Sequence, residues 1–114
     1  MVVELDIFSG RPNPTWTLPA EECAGVEALI AAASPASGRV TLPGLGYRGF
    51  IIDGPAGRTR VYRAELMQGD DIDDATPMRR GVVGPSLERR LLASGMPQLG
   101  PVVHAIVIAA MVSP

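Results

Sequence analysis

The first residues of the chain alternate between apolar and polar side chains. Val3, Leu5 and Ile7 are separated by Glu4 and Asp6. A period of two is typical of a β-strand that turns one face toward the core and the other toward solvent. The pattern therefore predicts an opening strand on which the two carboxylates share one face.

A loop with two prolines follows this strand. Pro12 and Pro14 fix their own φ angles and bias the preceding residues toward extended conformations, so the loop loses less entropy on ordering than most loops. We therefore expect it to hold Arg11, Asn13 and Trp16 in fixed directions, which suits a binding loop. The alternative is local structure, with the arginine paired to a carboxylate, the asparagine in an Asx-turn and the indole at the edge of the core.

Two segments have the apolar spacing of amphipathic helices. Apolar residues recur at helical spacing from Cys23 to Ala33, after a proline and two glutamates that suit a first helical turn. Cys23 lies on or near this apolar stripe, which favours a buried thiol over a nucleophile. The second predicted helix is Ser86 to Ser94, with Gly95 as its stop.

The clearest hairpin lies in the middle of the chain. Strand-like segments at 47–52 and 58–66 flank the turn residues of 53–57. Alternation along the second strand puts Arg58 and Arg60 on one face, which predicts a basic surface.

The C-terminal run from Val102 to Val112 is almost entirely apolar and rich in β-branched residues. We interpret it as a buried strand, with a helix as the alternative that its alanines favour. At this length a helix could not cross a bilayer.

The predicted order is strand, helix, strand, strand, helix, strand within one domain, 1–114. This is the split βαβ order of ferredoxin-like domains, an α+β sandwich in which a four-stranded sheet carries two helices on one face. The other face would be open to a ligand or a second subunit. On it we expect Glu4 and Asp6 near Arg58 and Arg60.

Composition excludes several classes of function. The net charge of −2 argues against general binding of nucleic acid or of anionic membranes. All ten basic residues are arginine, which excludes a Schiff-base or phosphate-loop lysine. Cys23 is the single cysteine, so no internal disulfide can form, and with no evident secretory signal we expect a cytoplasmic protein.

Few residues offer catalytic or metal chemistry. His104 is the single histidine and lies in the most apolar run, which favours a structural role over a catalytic one. Glu4 and Asp6 could form a carboxylate pair, although solvated or arginine-paired side chains are the commoner case. The aspartates of 70–74 miss the calcium-loop pattern because Ile72 falls on a ligand position. We expect no metal and no cofactor.

The segment FSGRPNPTW resembles the beginning of small uncharacterised bacterial and fungal proteins that open with a strand and a similar loop. The resemblance covers roughly this segment and implies no activity.

Three functional hypotheses remain from the sequence. The first is a small non-catalytic domain that binds an anionic small molecule or a peptide, including an accessory role in a biosynthetic pathway. Its candidate ligand-binding residues are Arg11, Asn13, Trp16, Tyr47 and Arg48, with Arg58 and Arg60 at the rim. The second is a cofactor-independent cyclase, isomerase or lyase in which Asp6 or His104 moves a proton. The third is a homodimer or partner subunit whose open sheet face or C-terminal strand is covered by another chain.

Overall fold

The computed structural model describes residues 1–8, 10, 12–36, 42–44, 46–54, 57–69 and 79–112. The strands in these ranges are β1 (Val2–Leu5), β2 (Thr15–Thr17), β3 (Ser34–Ala36), β4 (Phe50–Gly54), β5 (Gly57–Tyr62), β6 (Glu65–Gln68) and β7 (Arg79–Val82). The helices are α1 (Ala20–Ala31), α2 (Ser86–Ser94) and α3 (Met96–Val112).

The seven strands form one antiparallel sheet in the order β2-β1-β4-β5-β6-β7-β3. One register row includes directly opposed positions in five neighbouring strands, from β1 to β7 across the sheet: Val3, Ile52, Thr59, Gln68 and Arg79. Side chains opposed in neighbouring strands lie on the same face of a sheet. This row therefore places the polar side chains of β5, β6 and β7 beside the apolar side chains of Val3 and Ile52.

The core lies between the sheet and the helices. Val3 and Leu5 of β1 are fully buried, as their alternation predicts. They belong to one apolar cluster with Phe50 of β4 and with Leu87 and Leu91 of α2. The expected helix Ser86 to Ser94 is confirmed with its stop at Gly95, so strong periodicity locates these elements correctly.

The predicted ferredoxin-like sandwich is wrong. In the described ranges the sheet has seven strands rather than four, and three helices rather than two accompany it. Strands β2, β3 and β7 have only three or four residues each, too few to show a period of two. The expected strand at 58–66 is in fact two strands, β5 and β6, which are joined by a tight turn at Arg63 and Ala64.

The predicted C-terminal strand is also wrong, because Val102 to Val112 belongs to helix α3. Gly100, with φ of 75°, interrupts this helix just before Pro101. An apolar run of this length exceeds the usual strand and fits a helix, and its alanines favour one. None of the three described helices is both long enough and apolar enough to span a membrane.

Candidate functional site

A buried ion pair holds the end of β1 against β5. Asp6 Oδ2 accepts a hydrogen bond from Arg60 Nη1 at 2.8 Å, and the same guanidinium nitrogen donates to the carbonyl oxygen of Arg48 at 2.7 Å. Arg48 Nη1 lies 3.4 Å from the same carboxylate oxygen. Arg60 has no exposed surface, so its charge is neutralised inside the protein.

The sequence predicts that Asp6 lies near Arg60, and this contact is confirmed. The strand arrangement assumed for it is not observed, because β4 lies between β1 and β5. Arg58 is apart from this cluster and forms an exposed salt bridge of 3.1 Å with Asp53. Glu4 accepts a hydrogen bond from Asn13, and none of the described salt bridges joins it to an arginine.

Asn13 fastens the proline-rich loop to the first strand. Its Oδ1 accepts hydrogen bonds from the backbone N–H groups of Ile7 and Phe8 at 3.1 and 2.8 Å. Its Nδ2 donates to Glu4 Oε2 at 3.0 Å. These bonds occupy the amide with local partners, and they bring Asn13 beside the carboxylate of Asp6. Arg11, the guanidinium expected next to it, lies outside the described residues.

Trp16 and Tyr47 are buried core residues. Both rings pack edge-on against Phe50, with centroid separations of 6.2 and 5.9 Å. Trp16 Nε1 donates to Ser94 Oγ at 2.9 Å, and the Tyr47 hydroxyl donates to Glu88. The two aromatic candidates therefore both pack against Phe50 inside the core. The polar candidates Asn13, Arg48 and Arg60 contact Asp6 instead.

Glu88 of α2 is an important buried residue that the sequence analysis did not identify. Its Oε1 accepts the backbone N–H of Ala64 at 2.6 Å, and its Oε2 accepts the Tyr47 hydroxyl. Burial raises the pKa of Tyr47 above its ordinary value, and the charge of Glu88 raises it further. The available signal was helical spacing, because Glu88 lies one turn before the buried Leu91 and Leu92.

This carboxylate supports a turn with an unusual backbone. Arg63 and Ala64 have φ of 51° and 68°, a region that favours glycine. The carbonyl oxygen of Ala64 accepts hydrogen bonds from the N–H groups of Val83 and Gly84 at 2.8 and 3.1 Å. Bonds to both backbone groups of Ala64 therefore hold the turn that separates β5 from β6.

A cavity of about 370 Å³ lies between α1 and the sheet. Its apolar wall comes from the last turns of the helix and from the end of the sheet nearest the β4–β5 hairpin. The lining residues are Met1, Glu27, Ile30, Ala31, Ile52, Gly54, Gly57, Thr59, Gln68 and Arg79. Sites for small molecules are typically apolar clefts of ~300–1,000 Å³ with few polar groups, and this cavity has that character.

The polar side of the cavity is a chain of hydrogen bonds along the register row. Arg79 Nη1 donates to Gln68 Oε1 at 2.7 Å, and Gln68 Nε2 donates to Thr59 Oγ1 at 2.9 Å. Arg79 Nη2 also donates to the carbonyl oxygen of Ile30 in α1 at 3.3 Å. These bonds join the sheet to the helix at the cavity rim.

Two side chains in this series of hydrogen bonds can still donate a hydrogen bond to a ligand. Thr59 is only 4% exposed, and within the described ranges its hydroxyl accepts a hydrogen bond without donating one. Arg79 is exposed, and its described acceptors are the neutral oxygens of Gln68 and Ile30 rather than a carboxylate. The cavity thus combines apolar walls with a hydroxyl donor and a cation whose charge no described carboxylate neutralises.

A second cavity, of about 390 Å³, lies beside the Arg63 and Ala64 turn and is lined in part by Glu88 and Arg89. Its carboxylate is already engaged by two protein donors. A third, of about 340 Å³, lies between the start of α1 and the end of α2. Neither Asp6 nor His104 lines any of these three cavities. The α1–sheet cavity is therefore the candidate site.

In comparisons with known proteins, no family model, no curated protein and no solved structure matches the chain. The geometry of the α1–sheet cavity therefore carries the functional proposal.

Proposed function

We propose that this protein binds a small molecule with an apolar body and an anionic group, and that the ligand occupies the α1–sheet cavity. The observation that best supports this proposal is the combination of a 370 Å³ apolar cavity with the guanidinium of Arg79 at its rim, whose charge no described carboxylate neutralises. The class of ligand agrees with the first hypothesis from the sequence, and the proposed site is new.

Burial of the apolar body supplies most of the binding free energy in this proposal. Ile30, Ala31 and Ile52 form an apolar wall. Apolar surface that is removed from water contributes roughly 25 cal/mol of binding free energy per Å². Arg79 then orients the ligand, because its planar fork matches a carboxylate or phosphate. The Thr59 hydroxyl donates to a polar atom deeper in the cavity.

The arginines that the sequence predicts as ligand-binding residues fit this function less directly. Arg60 and Arg48 already share the carboxylate of Asp6, and Arg58 is paired with Asp53. An arginine that already pairs with a protein carboxylate contributes little binding free energy when it exchanges that partner for a ligand carboxylate. A role for the loop that carries Arg11 stays a prediction.

Octanoate and octan-1-ol test the proposal, because they share an apolar chain and differ in charge. We expect calorimetry to show saturable binding of octanoate and weaker binding of octan-1-ol. Arg79→Gln should weaken octanoate binding roughly fivefold, the upper end for an exposed ion pair, and should leave octan-1-ol unchanged.

Arg90→Gln is the matched control, since Arg90 is an exposed arginine whose partner is Glu22 and which lies outside this cavity. It should bind octanoate as the wild-type protein does. If wild-type protein binds neither probe, or if both variants lose octanoate equally, the proposed site is wrong.

A catalytic function would have to use Asp6 or His104. Asp6 is held by two arginines, and His104 is half-buried on α3 away from the cavities described above. Neither arrangement favours proton transfer to a bound substrate, since a general base must reach the proton that it abstracts. Binding without catalysis is therefore the better-supported function.

Self-association is a second candidate property, favoured by the surface of α3. Beyond its kink the helix contains no charged residue, yet Val102 is 71% and Ile106 50% exposed. In a two-fold dimer the same surface patch of each subunit contacts its copy on the other subunit. An apolar face without charges therefore pairs with its copy without repulsion between like charges. We propose that this face packs against the same face of a second copy of the chain.

Light scattering after size exclusion tests the dimer. We expect a dimer for wild-type protein and a monomer for Ile106→Glu, while Ala24→Glu on the exposed side of α1 remains dimeric. A strict monomer at high concentration would contradict self-association. A cytoplasmic location stays a prediction.

A further inference from the structure

We propose that the natural ligand of the α1–sheet cavity is a zwitterion, an α-amino acid with an aliphatic side chain. This inference rests on the proposed function and adds a cationic group to the ligand. Its basis is the presence of two opposite charges, Glu27 and Arg79, among the residues that line one apolar cavity.

Glu27 and Arg79 approach the cavity from different elements. Glu27 lies on α1, one turn before Ile30, so these two side chains share a face of the helix. Arg79 reaches the same helix from β7 by donating to the carbonyl oxygen of Ile30. The guanidinium is thus tied close to the end of α1, about one 5.4 Å turn beyond Glu27 along the helix axis.

The two charges do not neutralise each other. Among the described salt bridges none joins Glu27 to Arg79, and neither residue has another described partner of opposite charge. A ligand that carries an ammonium and a carboxylate on adjacent atoms can therefore satisfy both, with its carboxylate on Arg79 and its ammonium on Glu27.

The end of α1 favours the cation that Arg79 places there. The last carbonyl groups of a helix carry a partial negative charge, and the last turn of α1 contains no basic residue of its own. Arg79 supplies the cation at this end, and Glu27, one turn earlier on α1, is the carboxylate that attracts the ammonium of the ligand. The aliphatic side chain of the ligand would then fill the apolar part of the cavity, next to Ile30 and Ile52.

The experiment compares 2-aminooctanoate with octanoate at neutral pH, since the two probes differ only by the ammonium group. Wild-type protein should bind 2-aminooctanoate more tightly than octanoate. Glu27→Gln should reduce this preference about two- to fivefold, with octanoate binding unchanged or slightly stronger. Arg79→Gln should weaken both probes.

Glu21→Gln serves as the matched control, because Glu21 is an exposed glutamate on the same helix that does not line this cavity. It should keep the wild-type preference, and circular dichroism should show both variants folded. If octanoate binds as tightly as 2-aminooctanoate, or if Glu27→Gln leaves their ratio unchanged, the zwitterion is wrong and the anionic ligand stands. If neither probe binds, both proposals are wrong.

Discussion

The carboxylate of Asp6 lies 2.8 Å from the guanidinium of Arg60, an arginine with no exposed surface. Two charges removed from water in this way cost desolvation energy, which their attraction and further hydrogen bonds must offset. Arg60 gains one such bond from the carbonyl oxygen of Arg48. The pair thereby fixes the end of β1 and the segment before β4 to β5.

Removal of Asp6 should strongly destabilise the fold. Asp6→Ala removes the carboxylate that lies 2.8 Å from the buried charge of Arg60, a change that costs about 3–5 kcal/mol of the free energy of unfolding. Asp53→Ala is the control, because it removes only the exposed partner of Arg58 and should cost about 0–1 kcal/mol. Urea denaturation measures both, and equal losses would contradict a stabilising role for the buried pair.

The buried hydroxyl of Tyr47 should make stability sensitive to alkaline pH. Burial beside Glu88 raises its pKa above the ordinary 10.0, so above about pH 10 the unfolded chain releases a proton that the folded chain retains. The contribution is complete below that pH and is lost progressively above it.

Tyr47→Phe removes this dependence. The variant should be less stable at neutral pH, because Glu88 loses a donor, at a cost of about 1–3 kcal/mol. Its free energy of unfolding should then fall less steeply than that of wild-type protein between about pH 9 and pH 11. Parallel curves for the two proteins would contradict the raised pKa.

Gly49 should tolerate no side chain. Its φ is 96°, and an added Cβ would lie 2.2 Å from the carbonyl oxygen of Val61. Gly49→Ala must therefore move β4 away from β5, and we expect a loss of more than 3 kcal/mol. At Gly46, also at positive φ but with open space around it, alanine should cost only about 1 kcal/mol. Thermal unfolding measures both losses, and equal melting temperatures for the two variants would contradict the steric conflict at Gly49.

The parts of the fold that the sequence predicts are those with a strong local signal. Val3 and Leu5 show their period directly, and Gly95 ends α2 as expected. The turn at Arg63 and Ala64 has no such signal, because neither residue is typical of positive φ. Distant groups hold it instead, among them the carboxylate of Glu88, so no local pattern could reveal where β5 ends.

The candidate site was hidden for a similar reason. Thr59, Gln68 and Arg79 lie on three strands, and they form one row only through the pairing of β5 with β6 and of β6 with β7. Arg60, by contrast, was expected at an exposed rim and is buried against Asp6. Alternation correctly separates the two faces of a strand, but it does not tell which polar face the rest of the chain covers.

A titration of ¹⁵N-labelled protein with octanoate, followed by amide chemical shifts, tests the proposed cavity most directly. In wild-type protein the largest shifts should fall on Ile30, Thr59 and Gln68. They should disappear in Ala31→Trp, whose indole would occupy the cavity, and persist in Ala28→Trp, an exposed position of α1 that does not line it. Shifts confined to other parts of the protein, or unchanged shifts in Ala31→Trp, would contradict a ligand site between α1 and the sheet.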